Sequence, residues 1–173
     1  VVPKEKSFII ITKYTREVRK GFRYIVESMK CFTEQLTFEA KKKIILLFVG
    51  NETDYNTSDF DVDVMHLGFL NMQQLVEAYA FSNAFLCAST DDGGPSMINQ
   101  SIMCGTPVVS FESGTALDVI KNGISGYKVP IKDSLSFGMA ISKLFGMSDE
   151  EFLKLRKTTR GMAVKYNSSS AFV

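Results

Sequence analysis

A run of basic residues lies between positions 13 and 21, directly after an apolar hexapeptide, and reads Lys-Tyr-Thr-Arg-Glu-Val-Arg-Lys-Gly. Its cations are Lys13, Arg16, Arg19 and Lys20. Cations beside the N-terminus of a helix are electrostatically unfavourable unless an anion is also present. A phosphate or diphosphate would supply that anion. A solvated basic turn explains the same residues without a ligand, so this segment alone leaves both interpretations open.

A second polar segment runs from Ser89 to Gln100 and reads Ser-Thr-Asp-Asp-Gly-Gly-Pro-Ser-Met-Ile-Asn-Gln. Its Gly-Gly pair would let a ligand approach the backbone, and a helix starting at Pro95 would offer an N-terminus to anionic groups. Asn99 and Gln100 could hydrogen-bond a ribose or simply face water. An Asx turn with an acidic helix cap is the interpretation that needs no ligand.

A third segment, Phe111 to Val119, repeats the order of strand, glycine and helix. One such loop would be weak evidence, because each glycine alone is usual in a turn. Three of them at one sheet edge, one basic and two containing glycine, favour a nucleotide-sized anionic ligand.

The elements that must position these segments are short apolar runs alternating with longer amphipathic ones. The predicted strands are Ser7–Thr12, Ile44–Val49, Val62–Phe69, Ala84–Ala88, Pro107–Phe111 and, at an edge, Tyr127–Val129. The predicted helices are Gly21–Leu36, Met72–Ser82, Pro95–Met103, Ala116–Lys121, Leu135–Phe145 and Asp149–Tyr166. This alternation predicts an α/β fold, a three-layer, Rossmann-like, open and mostly parallel sheet with helices on both faces. Ligands bind such sheets at the carboxyl ends of the strands, where the three segments fall.

Length and composition limit the classes of function. The chain has 173 residues, 45% hydrophobic and 23% charged, with a net charge of +1. These values suit one domain with its own core and give no reason to expect a nucleic-acid partner. The longest apolar runs, such as Ile44–Val49, fall far short of the roughly 20 residues that span a bilayer. The chain begins Val-Val-Pro without an initiator Met, which we interpret as a fragment of something longer.

Several motifs match a known family when they are taken together. They are Cys104-Gly105-Thr106-Pro107-Val108-Val109, Asp92 to Gln100, Gly114 to Tyr127, and Arg19-Lys20-Gly21. In this combination, from about Ser7 to Tyr166, the chain resembles the C-terminal, donor-binding domain of the family-4 glycosyltransferases of GT-B fold. Gly50 and Gly68 fit the glycines that end two of its strands.

The resemblance implies roles for individual residues. Lys20 would contact the diphosphate of the donor and stabilise the negative charge that develops as it leaves. Asp92 stands at the first acid of the family's Glu-x7-Glu, beside the donor sugar, and Gln100 at the second acid, which holds the ribose hydroxyls. The other donor-binding residues implied are Lys13, Arg16, Arg19, Gly68, Gly93, Gly94, Pro95 and Ser96.

The chain departs from the family pattern at both acids. Asp92 is one methylene shorter than the usual Glu, and Gln100 keeps a hydrogen-bonding end but no charge. An Arg that the family often carries six residues before its Lys corresponds to Tyr14 here, so Lys13 or Arg16 would have to replace it.

The implied function is that of the donor half of a retaining glycosyltransferase. The donor would be a nucleotide-diphosphate sugar, used without a metal or other cofactor, and the acceptor a glycan or lipid-linked molecule in polysaccharide or glycolipid synthesis. Residues 1–167 would form the donor domain and 168–173 a tail, with the N-terminal acceptor domain absent, so we expect this chain alone to be inactive. We expect a cytoplasmic parent protein, peripheral to the inner face of a membrane.

Two other functions remain open at this stage. One is half of a GT-B sugar-nucleotide epimerase, which usually needs acidic and histidine residues in the cleft. The single histidine, His66, lies within a predicted strand and is expected to be packed there. The other is a non-catalytic nucleotide-binding module.

The residues that could bind a metal or react as thiols are interpreted as surface carboxylates and free cysteines. Asp61-Val62-Asp63 matches the Asp-x-Asp metal motif of another class of sugar transferases, but it precedes a strand instead of following one, which favours surface carboxylates. Cys31, Cys87 and Cys104 are widely spaced and are interpreted as buried free thiols in a reducing compartment.

Overall fold

The structure, a computed structural model, describes residues 3–93 and 96–170. Its strands are β1 (Phe8–Lys13), β2 (Ile44–Val49), β3 (Asp63–Gly68), β4 (Ala84–Cys87), β5 (Val108–Phe111) and β6 (Gly126–Val129). Its helices are α1 (Phe22–Thr33), α2 (Phe38–Lys42), α3 (Met72–Phe81), α4 (Ser96–Met103), α5 (Thr115–Val119), α6 (Ser134–Phe145) and α7 (Asp149–Ser170). The predicted alternation of strands and helices is confirmed.

The strands form one sheet in the order β3-β2-β1-β4-β5-β6, and all of its pairings are parallel. β6 is an edge strand, as predicted. The chain order reverses between β1 and β4, which are neighbours with Ile10 opposite Ala84. Such a reversal opens a crevice at the carboxyl ends of the two strands. The predicted Rossmann-like α/β class is confirmed.

Both faces of the sheet are buried, which explains why β2 is apolar throughout and β1 is apolar from Phe8 to Ile11. Along β1, Ile10 packs into a core with α1 and α6, whereas Ile9 and Ile11 pack into a second core with α3, α4 and α5. Successive strand residues point to opposite faces, so a strand covered on both sides needs apolar residues at every position. Helix α7 joins the two layers, because Leu155 belongs to the first core and Ala163 to the second.

Most element boundaries differ from the prediction by one or two residues, and the differences at α1 and α7 are larger. Helix α1 ends at Thr33, and a separate short helix, α2, follows, capped by the Thr37 hydroxyl that accepts from the Ala40 amide at 3.3 Å. The helix predicted to end at Tyr166 continues to Ser170. The segment 51–61, which connects β2 to β3, contains a single 3-10 turn at Thr57–Asp59.

The cysteines are free, but the expectation that all three are buried was wrong for two of them. Cys87 is buried, whereas Cys31 and Cys104 are half-buried. Cys31 lies in α1 beside Gly138 of α6, and Cys104, directly after α4, lines a surface groove.

The Asp-x-Asp motif lies at the amino ends of the strands, on the edge opposite the crevice. Asp61 pairs with Lys41, and Asp63, the first residue of β3, pairs with Lys6. The interpretation as surface carboxylates is confirmed. Among the described residues, no helix is long and apolar enough to cross a membrane.

Candidate functional site

A pocket of about 200 Å³ opens at the reversal point between β1 and β4. Both strands end there, and the first turns of α1 and α4 complete the wall. Its lining residues are Thr12, Lys13, Thr15, Lys20, Ile25, Phe85, Leu86, Cys87, Ala88, Ser89, Asp92, Ser96 and Met97. Two lysines and one aspartate are the charged groups of this lining, so the pocket carries a net positive charge and favours an anion.

Lys20 and Asp92 face one another across this pocket. The Lys20 ammonium donates to the Asp92 carboxylate in an ion pair, with 28% of the Lys20 side chain exposed and 12% of that of Asp92. A half-buried charge is held more firmly than a surface one, because less water competes for it. The two residues predicted to contact the phosphates and the sugar of a ligand therefore lie within one contact of each other.

Gly21 fixes the position of Lys20. It adopts a left-handed conformation with φ of 74°, and a Cβ at this position would lie 1.9 Å from the carbonyl oxygen of Ala88, at the end of β4. Only glycine permits both the conformation and the contact. The Thr90 amide also donates to the Arg19 carbonyl at 2.8 Å, which ties the loops after β1 and β4 together.

Gly114 brings the third segment to the same place. It has φ of 51°, and a Cβ there would lie 1.9 Å from the carbonyl oxygen of Asp92. The loop after β5 thus supports the backbone that carries Asp92. All three segments predicted to share one sheet edge meet around this pocket.

The remaining cations of the first segment divide between the pocket and its surroundings. Lys13 lines the pocket at the end of β1. Arg16 is directed away, with its Nε 2.7 Å from Asp54 and its amide 2.6 Å from Glu52. Arg19 pairs with Glu17 at 2.6 Å and donates to the Asp91 carbonyl at 3.2 Å. The structure therefore brings Lys13 and Lys20 to the pocket, while Arg16 and Arg19 hold the surrounding loops.

Helix α4 supplies the opposite wall. Its first residue, Ser96, lines the pocket, and Gln100 follows one turn later. The Oδ1 atom of Asn99 and the Oε1 atom of Gln100 are buried without a hydrogen-bond partner among the described residues. Buried acceptors in this state mark a place where a ligand or water donates a hydrogen bond. Gly93 is exposed beside this wall; Gly94 and Pro95 lie outside the described residues.

Gly68 lies apart from the pocket. It ends β3 with φ of 70°, and its carbonyl accepts from the Gly50 amide at 2.9 Å. β3 is two strands from β1, a separation of roughly 10 Å. Open space lies around the Gly68 α-carbon, because no atom comes within 4 Å of a Cβ built there.

Burial makes the pocket's thiol a poor nucleophile. Cys87 is buried, and this burial raises the pKa of its thiol, which lies 3.8 Å from the Ser89 hydroxyl. Next to Lys13 in the sequence, the pKa of Tyr14 is also raised. Burial is the main cause, and a hydrogen bond to Asp54 is the second. Both groups are neutral at physiological pH, so the charge of the pocket comes from its lysines and Asp92.

No group of three or more His, Cys, Asp or Glu side chains that could hold a metal ion occurs within residues 3–93 and 96–170. His66 is half-buried in β3, with its Nδ1 3.0 Å from the Tyr55 hydroxyl, as expected for a packed histidine. It is not among the residues that line the pocket.

Sequence reasoning missed three hydroxyl-bearing residues of the pocket. Thr12 and Thr15 line it from the end of β1 and beyond, and Ser89 from the end of β4. Thr12 Oγ1 donates to the Leu86 carbonyl at 2.9 Å and so holds the two strands together at the crevice. Only their position at the ends of predicted strands could have indicated these residues in the sequence.

Comparison with known proteins gives one family match. The sequence pattern of the family described as "Glycosyl transferases group 1" matches residues 1–161. An uncharacterized glycosyltransferase of Methanocaldococcus jannaschii is 25% identical over 142 residues, which cover 78% of this chain and 35% of that protein.

Solved structures show the same fold. HepE of Anabaena, in complex with UDP and glucose, has a TM-score of 0.73 at 15% identity, with 96% of this chain and 47% of that chain covered. A mutant of TarM of S. aureus, in complex with Fondaparinux, alpha-GlcNAc-glycerol and UDP, has a TM-score of 0.78 at 14% identity, with 98% and 35% covered. The chain thus spans half or less of the length of these relatives.

Proposed function

The chain belongs to the glycosyl transferases group 1 family, and we propose that it binds the donor of a retaining glycosyltransferase. The donor is a nucleotide-diphosphate sugar, and the sugar passes to a glycan or lipid-linked acceptor. The observation that carries the proposal is the Lys20–Asp92 pair in a positively charged pocket at the sheet's reversal point. Crevices at this point of an open α/β sheet are where nucleotides bind.

The diphosphate occupies the side of the pocket next to Lys20. Lys13 adds a second positive charge, and the N-terminus of α4 adds the partial positive charge of the helix dipole. As the bond to the sugar breaks, negative charge grows on the diphosphate, and Lys20 stabilises it. Lys20 is thereby assigned to the leaving group and not to the acceptor.

Asp92 and Gln100 orient the rest of the donor. The Asp92 carboxylate accepts hydrogen bonds from hydroxyls of the donor sugar, and the unpartnered Gln100 Oε1 accepts from a ribose hydroxyl. Gly93 leaves the backbone open to the sugar, and the space around Gly68 suits the base. Ser96, the first residue of α4, lies in the pocket, and the family resemblance assigns Gly94 and Pro95 to the same donor site.

A second domain completes the site. A pocket of about 200 Å³ is smaller than the roughly 300–1,000 Å³ that ligand sites enclose. Relatives are two to three times as long as this chain, as the covered shares of 35% and 47% indicate. We assign the acceptor and the other wall of the cleft to that additional portion, and no metal to the reaction.

Calorimetric titration of the chain with UDP, GDP, ADP and CDP, with and without EDTA, tests the proposal. UDP, the nucleotide in the complexes of HepE and TarM, is expected to bind, with the same affinity in EDTA. If none of the four nucleotides gives a heat of binding at millimolar concentration, the donor-site assignment fails. An affinity that EDTA abolishes contradicts the metal-free mechanism.

The same site could serve a non-catalytic module, and Asp92→Asn in the full-length parent separates the two functions. The substitution keeps the size of the side chain and removes its charge. Sugar transfer by the parent is expected to fall by at least about ten-fold, since a charge-assisted hydrogen bond contributes roughly 1.5–3 kcal/mol. Unchanged transfer would support the module.

The His66–Tyr55 contact outside the pocket argues against an epimerase that needs a histidine in its cleft.

A further inference from the structure

Helix α7 concentrates positive charge that the donor site does not use. Between Phe152 and Tyr166 it carries no Asp or Glu, although acidic and basic residues number 19 and 20 in the whole chain. Its cations in this stretch are Lys154, Arg156, Lys157, Arg160 and Lys165. Within the described part of the chain, Lys154, Lys157 and Arg160 form no salt bridge.

Apolar side chains interrupt the cations on the same exposed face. Leu153, Lys157, Arg160 and Val164 follow the spacing i, i+4, i+7 and i+11, which places them on one stripe about 16 Å long. Leu153 is 53% exposed and Val164 50%. The opposite face of the helix is the one that packs inward, through Leu155, Thr159 and Ala163.

An open groove of about 680 Å³ runs between this stripe and the ends of α3 and α4. Its lining residues are Ala80, Cys104, Gly105, Leu153, Arg156, Lys157, Arg160, Gly161 and Val164. Arg156 fixes its shape by donating to the carbonyls of Ala80 at 2.6 Å and Ser82 at 2.8 Å. Phe81 lies between Ala80 and Ser82 in the sequence, and its apolar side chain is 60% exposed. The groove, the stripe and Phe81 together are called the α7 surface.

The α7 surface lies on the opposite edge of the sheet from the donor pocket. Helices that connect parallel strands run back along the sheet, so the C-terminal ends of α3 and α4 lie beside the amino ends of the strands. The donor pocket lies at their carboxyl ends. A partner on the α7 surface would therefore leave the pocket open.

We propose that the α7 surface docks the protein onto a bilayer rich in anionic lipid. Cations near a bilayer are attracted to acidic headgroups, and exposed apolar side chains interleaved with them enter the boundary between headgroups and acyl chains. The α7 surface has both components on one helix face. A polynucleotide would pair with the cations but would leave Leu153, Val164 and Phe81 in water.

Vesicle sedimentation tests the docking. The chain is mixed with vesicles of about 30% phosphatidylglycerol in phosphatidylcholine, or of phosphatidylcholine alone, at about 0.1 M salt. It is expected to sediment with the anionic vesicles only and to be released by high salt. Failure to bind the anionic vesicles, or equal binding to the neutral ones, overturns the proposal.

Two double variants separate this surface from net charge. Lys157→Glu/Arg160→Glu is expected to reduce vesicle partitioning by at least roughly 25-fold, at about five-fold for each cation lost. Lys30→Glu/Lys43→Glu makes the same change in net charge at exposed positions elsewhere and is expected to partition nearly as the parent chain does. Equal losses in both variants would show a non-specific charge effect and refute the α7 surface.

The apolar component has its own test. Leu153→Ser/Val164→Ser keeps every cation and is expected to reduce partitioning several-fold. Unchanged vesicle partitioning would contradict insertion of these apolar side chains into the bilayer and would leave only a site for polyanions. In every variant, binding of UDP is expected to be unchanged, so failure of the docking proposal is distinguishable from failure of the donor-site proposal.

Discussion

The ammonium of Lys20 and the carboxylate of Asp92, 72 positions apart in the chain, form an ion pair across the mouth of the crevice. One comes from the loop after β1 and the other from the loop after β4. In the proposed complex the diphosphate lies against the first and the donor sugar against the second. Binding of the donor therefore replaces this contact with two contacts to the ligand, and the pair keeps both groups in position until then.

Substitution of Lys20 tests its role towards the diphosphate. Lys20→Ala is expected to weaken UDP binding by about 1.5–3 kcal/mol, the contribution of a charge-assisted hydrogen bond. Lys30→Ala, which removes an exposed cation from α1, is the control and should leave the affinity unchanged. Calorimetry measures both. An unchanged UDP affinity in Lys20→Ala refutes the phosphate assignment.

Gln100 is expected to recognise the ribose and not the phosphates. Gln100→Leu removes the buried acceptor that lacks a partner among the described residues and should weaken UDP binding by about 1 kcal/mol. Affinity for inorganic pyrophosphate, which has no ribose, should stay the same. Competition experiments with the two ligands measure the difference; an equal loss for both would contradict the assignment.

Gly114 is expected to support the Asp92 backbone through its lack of a side chain. Gly114→Ala places a Cβ 1.9 Å from the Asp92 carbonyl oxygen, so the loop that carries Asp92 must shift. Gly123→Ala is the matched control: it has a similar positive φ, 75°, but no atom within 4 Å of its Cβ. Both variants place a side chain at a positive φ and carry backbone strain of roughly 1–3 kcal/mol. Gly114→Ala should therefore bind UDP more weakly than Gly123→Ala does. Equal UDP affinities of the two variants would show that the contact between Gly114 and Asp92 is unimportant.

Tyr79 offers a test of stability away from the site. Its hydroxyl is buried without a hydrogen-bond partner among the described residues, so Tyr79→Phe is expected to raise the free energy of unfolding by about 1 kcal/mol. Tyr24→Phe is the contrasting variant, because the Tyr24 hydroxyl accepts a hydrogen bond from Arg23. That variant should bring no gain. Urea unfolding measures both, and a large destabilisation by Tyr79→Phe would show a hidden partner for its hydroxyl.

The same substitution has a pH signature. Burial raises the pKa of Tyr79 well above its ordinary value of 10.0, so the folded chain keeps the phenol neutral where the unfolded chain ionises it. This contribution to stability is complete below pH 10 and is lost as the pH rises further, by up to about 1.4 kcal/mol per pH unit. The stability advantage of Tyr79→Phe should therefore widen above pH 10. An advantage independent of pH would contradict the shift.

The sequence was sufficient for the sheet because burial on both faces leaves a direct signal. Phe8–Ile11, within the predicted strand Ser7–Thr12, and Ile44–Val49 are apolar at successive positions, which only a doubly covered strand requires. The site loops were also predictable, since each follows a strand. The end of α1 was not, because the apolar spacing continues past Thr33 and the cap that starts α2 depends on the Thr37 side chain.

Which cations enter the pocket could not be predicted from composition. Lys13, Arg16, Arg19 and Lys20 are equally basic and close in sequence, and the acidic partners that divert Arg16 lie 36 and 38 positions away. The contact between Gly114 and Asp92 is similarly invisible, because it depends on how far β5 brings its loop across the crevice. Tertiary pairing decides both.

A titration of the chain with UDP, followed by NMR through its backbone amides, tests the donor-site assignment most directly. The amide shifts are expected to cluster at Lys20, Gly93, Ser96 and Gln100, around the crevice between β1 and β4, and to remain in EDTA. Shifts confined to other surfaces, or no shifts at millimolar UDP, would contradict the claim that this crevice binds the diphosphate of a sugar donor.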